Sequence, residues 1–150
     1  PVNLTEVPGI QRKTSSAFEL ALTVIFQSAV QHWAESPEGM AKVPETVKEY
    51  MTTVPTQWDD TYFIDGFPGK FVVIARKSGK TWYVAGINGE LTAKEISFTL
   101  PFITRDLTAT LYTDGETNRS FSTSDVKLKK GKKTTLVMKP TGGFVMKFEE

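Results

Sequence analysis

From Trp58 to the C-terminus the apolar residues recur with a period of two. That pattern excludes a helical bundle and asks for extended strands with two distinct faces. The runs that carry it are residues 57–64, 69–77, 80–88, 92–100, 107–113, 121–128, 133–139 and 143–149. Turn signals separate most of them, at Phe67-Pro68-Gly69, Ser78-Gly79, Asn88-Gly89, Asp114-Gly115, Lys130-Gly131 and Gly142-Gly143. Seven to eight short strands at this spacing predict a mainly β fold, an antiparallel β-sandwich. Thr81 to Ile87 is apolar on both faces, which predicts a central strand covered on both sides. Lys133 to Lys139 alternates weakly, as an edge strand does. Asn88-Gly89-Glu90 reads as a type I′ hairpin turn.

Ahead of that half lies a short helical segment. Residues 1–13 carry Pro1, Pro8 and Gly9 without a period and read as a loop. Ser16-Ala17-Phe18-Glu19 has the form of a capping box. The run from Phe18 to Ala34 contains no Gly or Pro, and Phe18, Leu22, Ile25, Ala29 and Trp33 recur at helical spacing. Leu20, Ala21, Val24 and Phe26 fill the flanks, so this helix is expected to be buried from more than one side. Ser36-Pro37-Glu38 caps a second helix, with Pro37 in its first position. Pro44 opens a third, over Glu45 to Met51. The β-branched pair Thr52-Thr53 and the pre-proline Val54 end the helical pattern. The boundary falls there: a helical segment at 1–52 and a β-domain at 53–150. The chain opens at Pro1, without Met or a signal peptide, and is expected to be a piece of something longer.

The chemistry is sparse. With no cysteine there is no disulfide, thiolate metal site or Cys nucleophile. With one histidine, His32, a multi-histidine zinc site is excluded, and no Ser nucleophile has local support; a surface or interface role is preferred. A formal charge of +1 argues against a general nucleic-acid binder, and no apolar run is long enough to span a membrane. Asp59, Asp60 and Asp65 are the densest carboxylates, and paired carboxylates are what glycoside hydrolysis needs. Neighbours on a strand point to opposite faces, however, and Asp65-Gly66 is turn chemistry. Trp58, Trp82 and Tyr83 have the chemistry to stack on sugar rings, as in a carbohydrate-binding module, or to fill a sandwich core. Lys127, Lys129, Lys130, Lys132 and Lys133 surround Gly131 and read as a solvated hairpin tip that discourages edge pairing.

Several segments carry a resemblance. Trp58-Asp59-Asp60-Thr61, Gly66 to Gly69, Phe71 to Lys77, Trp82 to Glu90 and Leu111 to Gly115 resemble the C-terminal domain of glycoside hydrolase family 97. Ala21-Leu22, Val24 to Ser28, Gln31-His32 and Glu35 to Glu38 resemble the end of that family's catalytic barrel. One departure is Phe18-Glu19, where relatives commonly place His-Gln. The resemblance implies a three-part α-glucosidase or α-galactosidase: an N-terminal β-sandwich, a (β/α)8 barrel and a C-terminal β-domain. It places the catalytic carboxylates and a calcium ion in the barrel, upstream of Pro1, so no catalytic or metal-binding residue and no cofactor is expected here. The expected partner is the parent's own barrel, met through Phe18, Leu22, Ile25, Ala29 and Trp33. Oligosaccharide would be met only through the parent. Self-association through the apolar face is a further expectation. The resemblance also implies a periplasmic or exported protein. The alternative is a carbohydrate-binding module using exposed aromatics.

Overall fold

The computed structural model describes residues 12–150; the loop expected over residues 1–13 lies outside them as far as position 11. Three helices come first: α1 (Ser16–Ile25), α2 (Pro37–Ala41) and α3 (Glu45–Thr53). Eight strands follow: β1 (Asp60–Phe67), β2 (Phe71–Ser78), β3 (Thr81–Asn88), β4 (Lys94–Phe98), β5 (Leu107–Asp114), β6 (Phe121–Leu128), β7 (Thr134–Met138) and β8 (Gly143–Glu149). Their pairings are all antiparallel. Six form one sheet in the order β1-β2-β3-β8-β5-β6, and β4 pairs with β7 in a second. The fold is therefore mainly β and sandwich-like, as its periodicity predicts.

The large sheet is covered on both faces. On one side Val73, Trp82, Val84, Phe144 and Met146 meet Ile96 and Phe98 of β4 and Met138 of β7. On the other, Tyr83, Ala85, Tyr112 and Val145 meet Leu20, Ala21 and Val24 of α1 with Val47, Tyr50 and Met51 of α3. Thus β3 is central, as expected. Gly86 allows the closest approach within it. A Cβ there would lie 2.3 Å from Cε1 of Phe144, whose ring runs parallel to that of Phe98. On the helical side Tyr50 packs on the rings of Tyr112 and Tyr83, at 5.2 and 6.2 Å between centroids. Its hydroxyl lies 2.8 Å from that of Thr23, joining α3 to α1, and burial pushes its phenol pKa up.

Two expected hairpins are corrected. Asn88-Gly89-Glu90 is a passage between sheets, since β3 pairs with β2 and β8 whereas β4 belongs to the small sheet. Asn88 is fully buried there. Its Nδ2 donates to the carbonyls of Thr92 and Lys139, and its Oδ1 accepts from the Glu90 amide. The lysine run around Gly131 likewise links β6 of one sheet to β7 of the other. The Lys130 amide donates to Asp106 at that crossing. By contrast, Phe67-Pro68-Gly69-Lys70 is a turn as predicted, with Gly69 at φ 77° and the Lys70 amide donating to the Phe67 carbonyl.

The start of α1 is tied to the β-domain. The cap is Ser15, not Ser16: its Oγ accepts from the Phe18 amide at 3.0 Å. The shift has a tertiary cause. The amides of Ser15 and Ser16 are already donated to the carbonyls of Thr141 and Asn118. Those bonds hold Ser15 extended as the cap, and the helix begins at Ser16, one residue earlier than a cap at Ser16 would allow. Glu19 consequently accepts from Thr14 instead of closing a box on Ser16. Arg119 adds bonds to the carbonyls of Thr14 and Arg12. Beside this junction Asp114 is 8% exposed and accepts from the Gly143 amide at 3.2 Å. A Cβ on Gly142 would collide with the same carboxylate.

Two outcomes are expected. Gly86→Ala forces the Phe144 ring aside and lowers unfolding free energy by about 1–3 kcal/mol in urea titration; an unchanged midpoint would show that the approach is not tight. For Asp114, burial raises the carboxyl pKa, and the Ser15 hydroxyl, the Gly143 amide and Lys139 offset this only in part. A carboxyl whose folded pKa lies above its unfolded value favours the fold when protonated. Its contribution is lost as pH rises from about 3.9 through the folded value. Asp114→Asn should therefore gain stability relative to the parent between pH 3 and pH 7. A variant that loses stability equally at all pH values would show that the ionised form is required.

Candidate functional site

The residues that set the site are those of α1 and the strands beside it. The helix ends at Ile25, so the predicted run to Ala34 is corrected. Thr23, Val24 and Ile25 are β-branched and weak helix formers. Their carbonyls also find other partners: Gln31 Nε2 donates to that of Thr23 at 2.9 Å, and Arg76 Nη2 to that of Ile25 at 3.4 Å. Phe26 turns to extended backbone at ψ 139°. Downstream, Ser36 caps α2 with Pro37 in its first turn, as predicted. Helix α3 begins after Pro44 as expected and runs two residues past Met51, to Thr53.

The helix has two apolar faces. Ala17, Leu20, Ala21 and Val24 are buried against the sheet. Phe18, Leu22 and Ile25 lie on the outer side and are half-buried. Ala29 and Trp33 do not continue that stripe, because the helix has ended. Ala29 is exposed, and Trp33 is half-buried against the core that Met51 shares.

Two grooves flank the outer face of α1. The larger, about 580 Å³, runs between Phe18 and the β1–β2 hairpin, over Phe63, Phe67, Val72 and Ile87. The smaller, about 230 Å³, is lined by Leu22, Phe26, Val30, Gln31 and His32. Phe26, Val30 and Phe63 are each 62% exposed and Phe67 58%. Phe18 and Leu22, one helical turn apart, each line one of the two grooves. Singly scattered exposed apolar residues are ordinary, but here several are gathered beside one helix. Phe63 was legible only as alternation on a first strand, and Phe67 only as part of a turn. The alternation gave no sign that this strand lies at an edge.

The candidate chemistry is dispersed. Asp59 Oδ2 accepts from the Gly79 amide at 2.7 Å, Asp60 from Thr61 and Asp65 from Gly66. Each carboxylate serves local backbone. His32 is exposed on the rim of the smaller groove, and the five lysines around Gly131 are exposed on their crossing. Among the described residues no group of three or more His, Asp or Glu side chains is gathered to hold a metal ion. A calcium site does not fit these residues. The sugar-stacking reading fares no better. Trp82 is 4% exposed and stacked on Phe102 at 3.8 Å, while Trp58 is half-buried with its ring edge-on to Tyr83. Tyr83 is buried. These aromatics form cores, not an exposed platform. No helix among the described residues is long and apolar enough to cross a membrane.

Comparison with known proteins gives this arrangement its context. Residues 57–149 match the family described as "Glycosyl-hydrolase 97 C-terminal, oligomerisation". A retaining alpha-galactosidase of Bacteroides thetaiotaomicron is 31% identical over 136 residues, covering 87% of this chain and 20% of its own length. The crystal structure of a beta-arabinopyranosidase superposes with a TM-score of 0.85 at 36% identity, over 93% of this chain and 22% of that one. A family 97 enzyme from Pseudoalteromonas sp. strain K8, in complex with acarbose, gives 0.79 at 27% identity, over 91% and 22%. The chain spans about a fifth of the length of these relatives. The match over most of the β-domain and the agreement in fold lead to one conclusion: this chain belongs to glycoside hydrolase family 97, and residues 57–149 are the family's C-terminal domain.

Proposed function

We propose that this chain is the non-catalytic C-terminal portion of a family 97 α-glycosidase, and that it packs against and stabilises the catalytic barrel. On this reading residues up to about 52 are the end of that barrel, and the sheet beneath them is the support on which it rests. The observation that carries the reading is the pair of apolar grooves beside α1, lined by Phe18 and Leu22, with Phe26, Val30, Phe63 and Phe67 exposed around them. Covering such side chains removes apolar area from water and is favourable. The curated relative is a retaining alpha-galactosidase, which favours α-galactosides over α-glucosides as substrates of the whole enzyme. The catalytic carboxylates and any calcium belong upstream. The family description names oligomerisation, so a second copy is the other occupant of exposed surface that this reading allows.

Release of nitrophenol from aryl α-galactoside and α-glucoside tests the assignment. The 150-residue chain is compared with the same chain joined to its upstream coding sequence. Only the longer protein should turn over, and turnover by the chain alone would overturn the non-catalytic reading. Leu22→Asp with Phe63→Ser should lower the thermal midpoint of the longer protein, by the loss of about 1.5–3 kcal/mol per buried apolar side chain. The same pair should reduce binding of a hydrophobic dye by the 150-residue chain. Unchanged values in both experiments would place the barrel elsewhere.

A further inference from the structure

Arg76 lies on the helical side of β2 and is 7% exposed. Among the described residues it forms no salt bridge. Its Nη2 reaches the Ile25 carbonyl at 3.4 Å, and its Cζ stands 5.8 Å from the centroid of the Trp58 ring. Both contacts are long, and neither brings a carboxylate. Its Nε meets no acceptor among the described residues. Burial pulls its pKa below the ordinary arginine value, and no acidic side chain counteracts that shift. A buried guanidinium is ordinarily paired, because removing a charge from water is costly.

Two neighbours share the deficit. Trp58 Nε1 and Gln31 Oε1 are buried without hydrogen-bond partners among the described residues. The Gln31 Nε2 is committed to the carbonyls of Thr23 and Pro55, at 2.9 and 3.5 Å. Arg76 and Trp58 are therefore each short of an acceptor, with the guanidinium 5.8 Å from the indole. A carboxylate offers two oxygens and up to about four acceptor sites, enough for a guanidinium N–H and an indole N–H together. Gln31 also lines the smaller apolar groove with Leu22, Phe26 and Val30. Ile25, whose carbonyl Arg76 reaches, immediately precedes Phe26 of that groove.

We propose that Arg76, with Trp58 beside it, anchors one carboxylate, an Asp or Glu side chain of the catalytic barrel docked over the end of α1. The inference rests on the docking reading given above and adds the chemistry of the partner. Two observations favour the barrel as occupant: the unpaired cation asks for an acid, and four-fifths of each full-length relative lies outside the stretch that this chain matches. Apolar contact supplies area, and the ion pair sets position along it.

The test compares Arg76→Met, Arg76→Lys and Leu22→Asp in the 150-residue chain and in the chain joined to its upstream barrel. In the shorter chain Arg76→Met should leave the thermal midpoint unchanged or raised, because an uncompensated buried cation is removed. In the longer protein it should lower the midpoint and raise protease cleavage within residues 26–36 roughly tenfold, since an acid is then left unpaired. Arg76→Lys should fall between, keeping the charge but losing the fork. Equal destabilisation in both proteins, or failure of Arg76→Met to fold alone, would make Arg76 only a cap for α1 and overturn the proposal. A response to Leu22→Asp without one to Arg76→Met would overturn the anchor and leave the docking reading standing. No response to either would overturn the docking reading itself. A self-associating 150-residue chain whose assembly is lost in Arg76→Met by sedimentation would assign the acid to a second copy and overturn the barrel as its source.

Discussion

The structure depends on a sheet that must be buried on both faces. Strands β3 and β8 carry large apolar side chains alternately up and down, so neither face tolerates water. Two strands, β4 and β7, cover one side, which is a small lid for six strands. They suffice because Trp82, Phe98, Phe144 and Phe148 are large and Gly86 lets the Phe144 ring sit down on β3. The other face needs the helices. Tyr50, Tyr83 and Tyr112 meet there with their rings tilted or edge-on, the arrangement that aromatic quadrupoles prefer. The change of period near residue 53 is thus a change of local structure within one packed unit, because α1 and α3 share a core with the sheet.

That packing has a directional consequence. Helix α1 is held at its start by backbone bonds to Thr141 and Asn118, and at its end by Arg76 and Gln31. Both ends are pinned by residues outside the helix. The Phe18, Leu22 and Ile25 side is therefore presented in one orientation relative to β1. A groove between a fixed helix and a hairpin is a preorganised surface, and preorganisation lowers the entropic cost of docking. The Pro68-Gly69 turn adds to this by holding Phe63 and Phe67 on a short, tightly closed hairpin.

Much of this was legible in the sequence, for identifiable reasons. Strand existence followed from alternation, which depends only on one strand's two faces. All eight runs became strands, every end within three residues of the predicted one. What failed was information that one segment does not carry. Asn88-Gly89 has the chemistry of a hairpin turn, but whether it joins neighbours or crosses between sheets depends on where Lys139 and Thr92 lie. Ser16 and Glu19 have the spacing of a capping box, but Thr141 and Asn118 decide where the helix begins. Ala29 and Trp33 have helical spacing, but Gln31 and Arg76 decide where it ends. Phe18 and Leu22 fall within the helix as their spacing predicts, and Ile25 is its last residue, where Arg76 takes the carbonyl. Arg76 was not, since an arginine in an apolar strand looks alike whether its head meets water, an acid or a helix end.

Among the described residues the candidate acids are dispersed, while exposed apolar side chains are gathered beside α1. Catalysis by carboxylates needs two acids converging on one bond, with their environments set apart. Asp59, Asp60 and Asp65 instead spend their oxygens on local amides at the margin of β1. Among the described residues the buried acid and the buried cation lie elsewhere: Asp114 at the start of α1 and Arg76 at its end. Asp114 is answered within the chain, by Gly143, Ser15 and Lys139. Among the described residues Arg76 is answered by a distant carbonyl and the face of an indole. The two ends of α1 thus differ in kind. At the start the Asp114 charge is offset by a cation and hydrogen bonds of the chain itself, although its Oδ1 has no partner among the described residues; at the end Arg76 has no acid among them and lies near exposed Phe26 and Val30. Under the proposed docking, apolar burial and charge pairing would be gained together at that end of the helix.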